Sequence, residues 1–228
     1  SPPLVSALRF LSNVEKSFLP ISPTGGVSDL FRRQGLPRST VETSPRVRLL
    51  GTESANPFLL NRLWDAIVLT PEEEGVVSAL RIVEPAIERI AFTGDASGGI
   101  LLKLTDTDRR LPLGTAGDGL KRLLALALHL FSARGGYLLV DEIDTGLHYS
   151  VMADMWRLVI KTAERLDVQV LATTHSLDCV RALAWIREKD PESSHTVTLH
   201  RVERELLHTV AYTLEELSVA ARNHLEVR

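Results

Sequence analysis

An α/β fold built on a parallel sheet is predicted by three features of the sequence. Two short apolar runs, Tyr137-Leu138-Leu139-Val140 and Val168-Gln169-Val170-Leu171-Ala172-Thr173, read as buried strands. Stretches with apolar residues at helical spacing, 118–133, 149–166 and 176–188, alternate with them. This order of strand, helix, strand, helix implies parallel pairing covered on both faces. The third feature is composition: 44% apolar residues across 228 positions can fill a real core, which excludes disorder as the global description.

The elements follow in chain order. Residues 4–19 lack a clean period and fit a short helix or strand. From Pro20 to Pro45, recurring proline and glycine break any regular element and predict a long mobile loop. Its arginines Arg32, Arg33 and Arg38, with Arg46 and Arg48 just beyond, could meet phosphate or acidic groups, or simply keep the loop solvated. Val47–Leu50 is a strand candidate. Pro57–Val68 reads as a helix with Leu59, Leu60, Leu63 and Ile67 on its buried side. A second helix begins with Thr70 as N-cap and Pro71 in the first turn. There Glu72, Glu73 and Glu74 suit the positive end of the helix dipole, and Val76, Val77, Leu80 and Val83 face the core. Residues 87–93 and 100–105 form a hairpin around the Gly94–Gly99 turn. The tail alternates at 195–202 and 206–211, as a hairpin or two edge strands, and closes with a helix at 213–225.

Charge and cysteine usage bound the setting. With 26 basic and 29 acidic side chains the net charge is −3, which argues against a uniformly basic phosphate-gripping surface and leaves room for a local basic patch. The single cysteine, Cys179, cannot form an internal disulfide, so a reducing, cytoplasmic location is expected. No apolar stretch reaches the roughly 18 to 20 residues that span a bilayer, and Ser1-Pro2-Pro3 does not open a signal peptide, so a soluble chain with no membrane partner is expected.

Chemistry concentrates after residue 110. The run Tyr137-Leu138-Leu139-Val140-Asp141-Glu142 ends an apolar strand in two carboxylates, and the C-terminal ends of parallel strands line the ligand crevice of an open α/β sheet. Such a pair suits nucleotide hydrolysis: one acid can hold Mg²⁺ on the phosphates while the other orients or deprotonates the attacking water. Taken alone, the hexapeptide equally fits a core strand meeting solvent. The turn Asp144-Thr145-Gly146-Leu147-His148 follows, and one helix and strand later Thr173-Thr174-His175-Ser176 brings a histidine to the same edge. Before the first of these strands, Leu113-Gly114-Thr115-Ala116-Gly117-Asp118-Gly119-Leu120-Lys121-Arg122 places glycines at a helix start. Free backbone N–H groups and the helix dipole favour phosphate there, although a flexible helix entry would look the same.

Taken in this order, residues 111–188 resemble the C-terminal half of an ABC-type ATPase of the OLD and AAA-like group of P-loop NTPases, a group often found in bacterial defence systems. Gly117–Arg122 resembles the signature segment, Tyr137–Glu142 the Walker B strand, Asp144–His148 the D-loop and Thr174-His175-Ser176 the switch histidine. Gly51–Ser54 and Leu63–Glu73 look more loosely like the lid-side insert. The resemblance implies an ATP-hydrolysing enzyme with Mg²⁺. Asp141 would be the metal ligand, Glu142 and His175 the catalytic pair, and Asp144 would act across a head-to-tail homodimer. Gly117, Asp118, Gly119 and Thr115 would meet the ATP of the partner. Gly117 stands where the common pattern has serine, which keeps a backbone contact and removes a hydroxyl.

One departure is larger. No Gly-x-x-x-x-Gly-Lys-[Ser/Thr] occurs in the sequence, so the backbone cradle and lysine that hold the phosphates are lacking. Gln34 and Gln169, the only glutamines, are poorly placed for a metal-sensing role. The family's order of motifs puts the P-loop before Ser1. The expectation is therefore an ATPase core lacking its N-terminal P-loop segment, with a helical lid-side region over 1–110 and the C-terminal half of the core over 111–228. Apolar strand edges would be exposed, and the chain alone would bind ATP weakly. The rival reading is a non-enzymatic ATPase-fold scaffold for a separate effector protein; an SMC-type repair ATPase would need heptads that do not occur. His195, His200 and His208 lack metal-ligand spacing, Trp64, Trp156 and Trp185 read as packing residues, and nucleic-acid binding is left open.

Overall fold

A computed structural model describes residues 7–11, 16–20, 46–52, 56–93, 99–105, 109–189, 197–202 and 209–222. The chain divides into two compact units, Ser1–Ser44 and Pro45–Arg228. In the first, β1 (Ala7–Leu11) and β2 (Lys16–Pro20) pair antiparallel, with Ala7 opposite Pro20 and Leu11 opposite Lys16. The helix-or-strand alternative for 4–19 thus resolves to strands. Most of the loop expected at 20–45 lies outside the described residues.

The second unit is built around three parallel strands in the order β3 (Val47–Leu50), β7 (Tyr137–Val140), β8 (Gln169–Ala172). Val47, Tyr137 and Gln169 lie abreast at one end, Leu50, Val140 and Ala172 at the other. Because successive side chains alternate across a sheet, this register gives each face a fixed set. Leu50, Leu138 and Val140 point into the core and are nearly inaccessible. The opposite face carries Val47, Leu49, Tyr137 and Leu171, exposed by 55%, 66%, 38% and 50%. A sheet covered on both faces was expected; among the described residues one face is covered and the other, equally apolar, is not.

The covered face packs on α3 (Asp118–Ser132), which is buried on every side from Arg122 to Phe131. Such a helix belongs to the centre of a core, not to its rim. On one flank lie α1 (Pro57–Asp65) and α2 (Pro71–Leu80), and on the other α4 (Met152–Leu166). Side chains cap the first pair: Thr70, the cap expected from the sequence, accepts through Oγ1 from the Glu72 N–H at 3.3 Å, and Asn56 Oδ1 accepts from the Phe58 N–H at 2.9 Å. Proline occupies the first turn of each. Helix α1 ends at Asp65, short of Val68, and Leu59 is exposed; Trp64 takes its place in the core and stacks on Phe92 with ring centroids 5.0 Å apart. Gly75 of α2 is required by close packing, since a Cβ there would sit 2.4 Å from the Phe131 ring.

An antiparallel sheet, β4 (Ile87–Phe92), β5 (Ile100–Leu104) and β6 (Arg110–Pro112), packs beside α2 and contributes Ile87, Ile90, Ile100 and Leu102 to the same core. Helix α5 (Leu177–Lys189) packs on α4. A second apolar cluster joins it to α6 (Leu214–Arg222) and to the hairpin β9 (Thr198–Val202) and β10 (Thr209–Thr213) through Ile160, Leu183, Ile186, Leu214 and Leu217. No helix among the described residues is long and apolar enough to cross a membrane.

The two faces of the parallel sheet make opposite predictions for one chemical change. Leu138→Ala removes a side chain with no accessible surface and should lower the unfolding free energy by about 2–5 kcal/mol. Leu171→Ala on the bare face should change it by less than about 0.5 kcal/mol. Urea denaturation of both variants checks this, and equal losses would mean that the open face is covered in solution.

Candidate functional site

The parallel register brings the ends of β7 and β8 side by side, so Asp141-Glu142 and Thr173-Thr174-His175 leave the sheet at the same edge. Main-chain bonds hold the exit. The Asp141 N–H donates to the Leu50 carbonyl at 2.9 Å, the Thr173 N–H to the Val140 carbonyl at 2.9 Å, and the Ile143 N–H to the Thr173 carbonyl at 3.0 Å. Between them Glu142 adopts φ 45°, a left-handed conformation that costs an ordinary side chain about 1–2 kcal/mol. Its N–H donates to Thr173 Oγ1 at 2.9 Å, and the Thr173 hydroxyl in turn donates to Asp141 Oδ1 at 2.7 Å. One threonine thereby fixes the backbone of one acid and the carboxylate of the other. Thr145 Oγ1 donates to Glu142 Oε2 at 3.1 Å.

Asp144 is tied to the second strand end by a hydrogen bond from the Thr174 hydroxyl. Thr174 Oγ1 also accepts from the Ser176 N–H at 3.0 Å, and Ser176 Oγ from the Cys179 N–H at 3.2 Å, which closes the start of α5. Asp141 and His175 are exposed; Glu142 and Asp144 are half-buried. Cys179, behind this loop, is fully buried, and burial pushes its thiol up to about 11, beyond reach of nucleophilic chemistry near neutral pH.

Beneath the carboxylates lies Arg122, only 7% exposed. Its guanidinium donates to the carbonyls of Gly51, Asp141 and Glu142, the last at 2.9 Å, so one planar group joins the end of β3 to the end of β7. Burial lowers its pKa, and the charges of Asp141, Asp144 and Glu142 oppose that fall; arginine keeps its proton in such surroundings. Two turns along α3, His129 is also buried, with Nδ1 2.8 Å from the Ala125 carbonyl, and burial holds its pKa below the usual histidine value.

The glycine-rich helix start sits against the same turn. Gly117 caps α3 at φ 91°, where a side chain would be strained, and a Cβ on Gly119 would lie 2.8 Å from the Gly146 carbonyl. Gly146 itself has φ 76° and closes against Asp118 and Gly119. Gly117 and Asp118 are exposed, and Asp118 pairs with Lys121 at 2.9 Å. The structure therefore brings Gly117, Asp118, Gly119, Asp141, Glu142, Asp144 and His175 to one edge of the parallel sheet. Thr115 lies in the short 3₁₀ turn before α3, its hydroxyl donating to the Pro112 carbonyl at 2.7 Å.

Sequence reading missed the supports. Arg122 enters the sequence reading only as the last residue of the glycine-rich segment, yet a charge inside an apolar helix has to find buried acceptors, and that is its signal. The hydroxyls of Thr173 and Thr174 give no such signal, because their partners depend on strand register.

As to a cation, no group of three or more His, Cys, Asp or Glu among the described residues is arranged to hold a metal ion. Asp141, an exposed carboxylate with one oxygen fixed by a hydroxyl, offers hard oxygen of the kind Mg²⁺ takes, one or two protein ligands at a time with the rest from phosphate and water.

Three comparisons bear on this arrangement. A family model described as "AAA domain, putative AbiEii toxin, Type IV TA system" matches residues 6–179. An ATP/GTP phosphatase of Helicobacter pylori is 31% identical over 126 residues, which cover 52% of this chain and 32% of that protein. An uncharacterised protein of Methanocaldococcus jannaschii is 29% identical over 91 residues, 40% of this chain and 80% of that one. The chain thus spans about a third of the Helicobacter relative it matches. Among solved structures, the SMC head domain from Thermotoga maritima aligns with 91% of this chain and 72% of its own at 16% identity and a TM-score of 0.45.

Arg122→Lys tests the carbonyl clamp, because an ammonium keeps the charge but cannot span three carbonyls on two strands. The substitution should lower the unfolding free energy by about 2–3 kcal/mol, measured in urea. A change under about 0.5 kcal/mol would show that the guanidinium geometry is dispensable.

Proposed function

This chain belongs to that AAA domain family of P-loop ATPases, and on that premise we propose that residues 111–188 form the hydrolytic half of an ATP site. The observation that carries the reading is the meeting of Asp141-Glu142 with the Thr173–His175 loop at the ends of two adjacent parallel strands. In the proposed mechanism Asp141 would hold Mg²⁺, which would supply positive charge to neutralise the phosphates. The half-buried Glu142 takes a proton from the attacking water, with Thr145 fixing one of its oxygens. His175, on the neighbouring strand end, donates to the terminal phosphate as charge develops there. The hydroxyl of Thr173 keeps Asp141 and the backbone of Glu142 in register, so both acids are preorganised before substrate arrives.

We further place the chain in the OLD-like, ABC-type branch, acting in the cytoplasm by head-to-tail closure of a homodimer. The exposed start of α3, with Gly117, Asp118 and Gly119, would then meet the ATP of the partner, and Asp144 would reach across the interface. The family description supports a role in a bacterial toxin–antitoxin type of defence, with an effector protein downstream. The name of the Helicobacter relative supports nucleoside triphosphate hydrolysis. These 228 residues contain no Gly-x-x-x-x-Gly-Lys-[Ser/Thr], and on this reading they should by themselves bind ATP weakly.

Two measurements test this reading. Isothermal titration of Mg-ATP into the 228-residue chain should give no micromolar binding; a micromolar Kd would reject the half-site. In the polypeptide that carries both halves, Glu142→Gln should retain ATP and slow phosphate release by about 10²–10⁴-fold. Unchanged turnover would remove Glu142 from the role of base.

A further inference from the structure

A second polar feature lies at the opposite end of the parallel sheet from the carboxylates. Arg46 and Arg48 enter β3, Arg134 lies in the turn before β7, and Arg62 is on α1; together they rim a cleft of about 530 Å³ floored by Leu63, Ile67 and Phe131. All four arginines are exposed. One carboxylate, Glu72, lines the cleft, and it is bonded to Arg134. Its pKa is lowered chiefly by the hydrogen bond with Thr70. Among the described residues, Arg46, Arg48 and Arg62 form no ion pair. In a chain whose net charge is −3, three unneutralised guanidinium groups around one cleft are a local reversal of sign.

We propose that this cleft binds the phosphodiester backbone of single-stranded nucleic acid. Four observations select that ligand. Every cation in the lining is arginine, whose planar fork matches phosphate oxygens. Arg46 and Arg48 are two residues apart and project from the same face of the chain, about 6.6 Å from one another along the strand, so they can meet successive anionic groups. The cations stand at an exposed rim, where each alone is weak. A polyanion that engages several and releases their counterions turns weak contacts into affinity, which a single phosphate cannot do. The apolar floor gives the bases of a single strand a surface to lie on, which a duplex keeps stacked inside. This site is separate from the proposed ATP half-site and stands whether or not that reading holds.

The test is fluorescence anisotropy of a labelled single-stranded oligonucleotide with the full 228-residue chain across about 50 to 200 mM salt. Three phosphate contacts, from Arg46, Arg48 and Arg62, predict a slope of log K against log salt of about −2, at roughly −0.7 per contact. Arg46→Gln/Arg48→Gln/Arg62→Gln should bring the slope close to zero and weaken binding by on the order of tenfold or more at the low-salt end. Arg62→Gln alone, on the exposed side of α1, should remove about 0.7 from the slope, which keeps the test valid if the triple variant fails to fold. Arg181→Gln, paired with Asp178 and outside the cleft, removes one charge and should change nothing. The proposal is overturned by absence of binding, by a slope unmoved in the cleft variants, by tighter binding of the matching duplex, or by displacement of the oligonucleotide with micromolar ATP or inorganic phosphate.

Discussion

The guanidinium of Arg122 is the group on which the arrangement of the site depends. It is a buried charge, and a buried charge is stable only where polar partners surround it. Here the partners are three main-chain carbonyls from two strand ends, with the carboxylates of Asp141, Glu142 and Asp144 close enough to oppose its loss of charge. The carbonyls of Asp141 and Glu142 are therefore turned inward, toward α3. That orientation makes the chain leave β7 in a tight turn and is compatible with the positive φ of Glu142. A strand with no such anchor would run on into solvent, and its acids would have no fixed place.

Two close approaches complete the geometry. Glycine at 119 lets the start of α3 touch the Gly146 carbonyl, so the helix that supplies Arg122 also packs its first turn on the loop that follows the acids. Thr173 and Thr174 tie that loop to the end of β8 by side-chain hydrogen bonds to Asp141 and Asp144. Helix α3, strand β7 and strand β8 thereby share one rigid edge, and the residues with chemistry stand on it. The strain at Glu142 is local and is offset by the hydrogen bonds on either side.

Much of this was legible in the sequence because it is periodic or punctuated. Alternating apolar strands and helices gave the parallel order β7, α4, β8, α5; Thr70, Pro57 and Pro71 marked the helix starts; Asp141, Glu142 and His175 followed from their place at strand ends. What could not be read depends on register and on contacts distant in sequence. That β3 joins β7 rests on the Asp141 N–H donating to the Leu50 carbonyl and on Arg122 donating to the Gly51 carbonyl, both distant in sequence. The one-sided cover of the parallel sheet is not legible either, since Leu49 and Leu171 are as apolar as Leu138 and only the fold decides which of them is buried. The extent of α1 was overestimated because Val68 and Ile67 continue the apolar pattern through a turn that breaks the helix. The arginine cleft drew on Arg46 and Arg48, visible as charges in sequence, and on Arg62 and Arg134, which only the packing of α1 and α3 brings to them.

The turn carrying Asp141 and Glu142 is a fixed part of the core edge and not a solvated strand end. Amide hydrogen exchange, read residue by residue by NMR on the full chain, tests it most directly. The N–H groups of Asp141, Glu142 and Ile143 are each bonded, to the Leu50 carbonyl, Thr173 Oγ1 and the Thr173 carbonyl. They should exchange slowly, with the protection of the strand interiors, and Thr173→Val should release Glu142 while leaving Ile143 protected. Exchange of all three at the rate of an open loop would contradict the account.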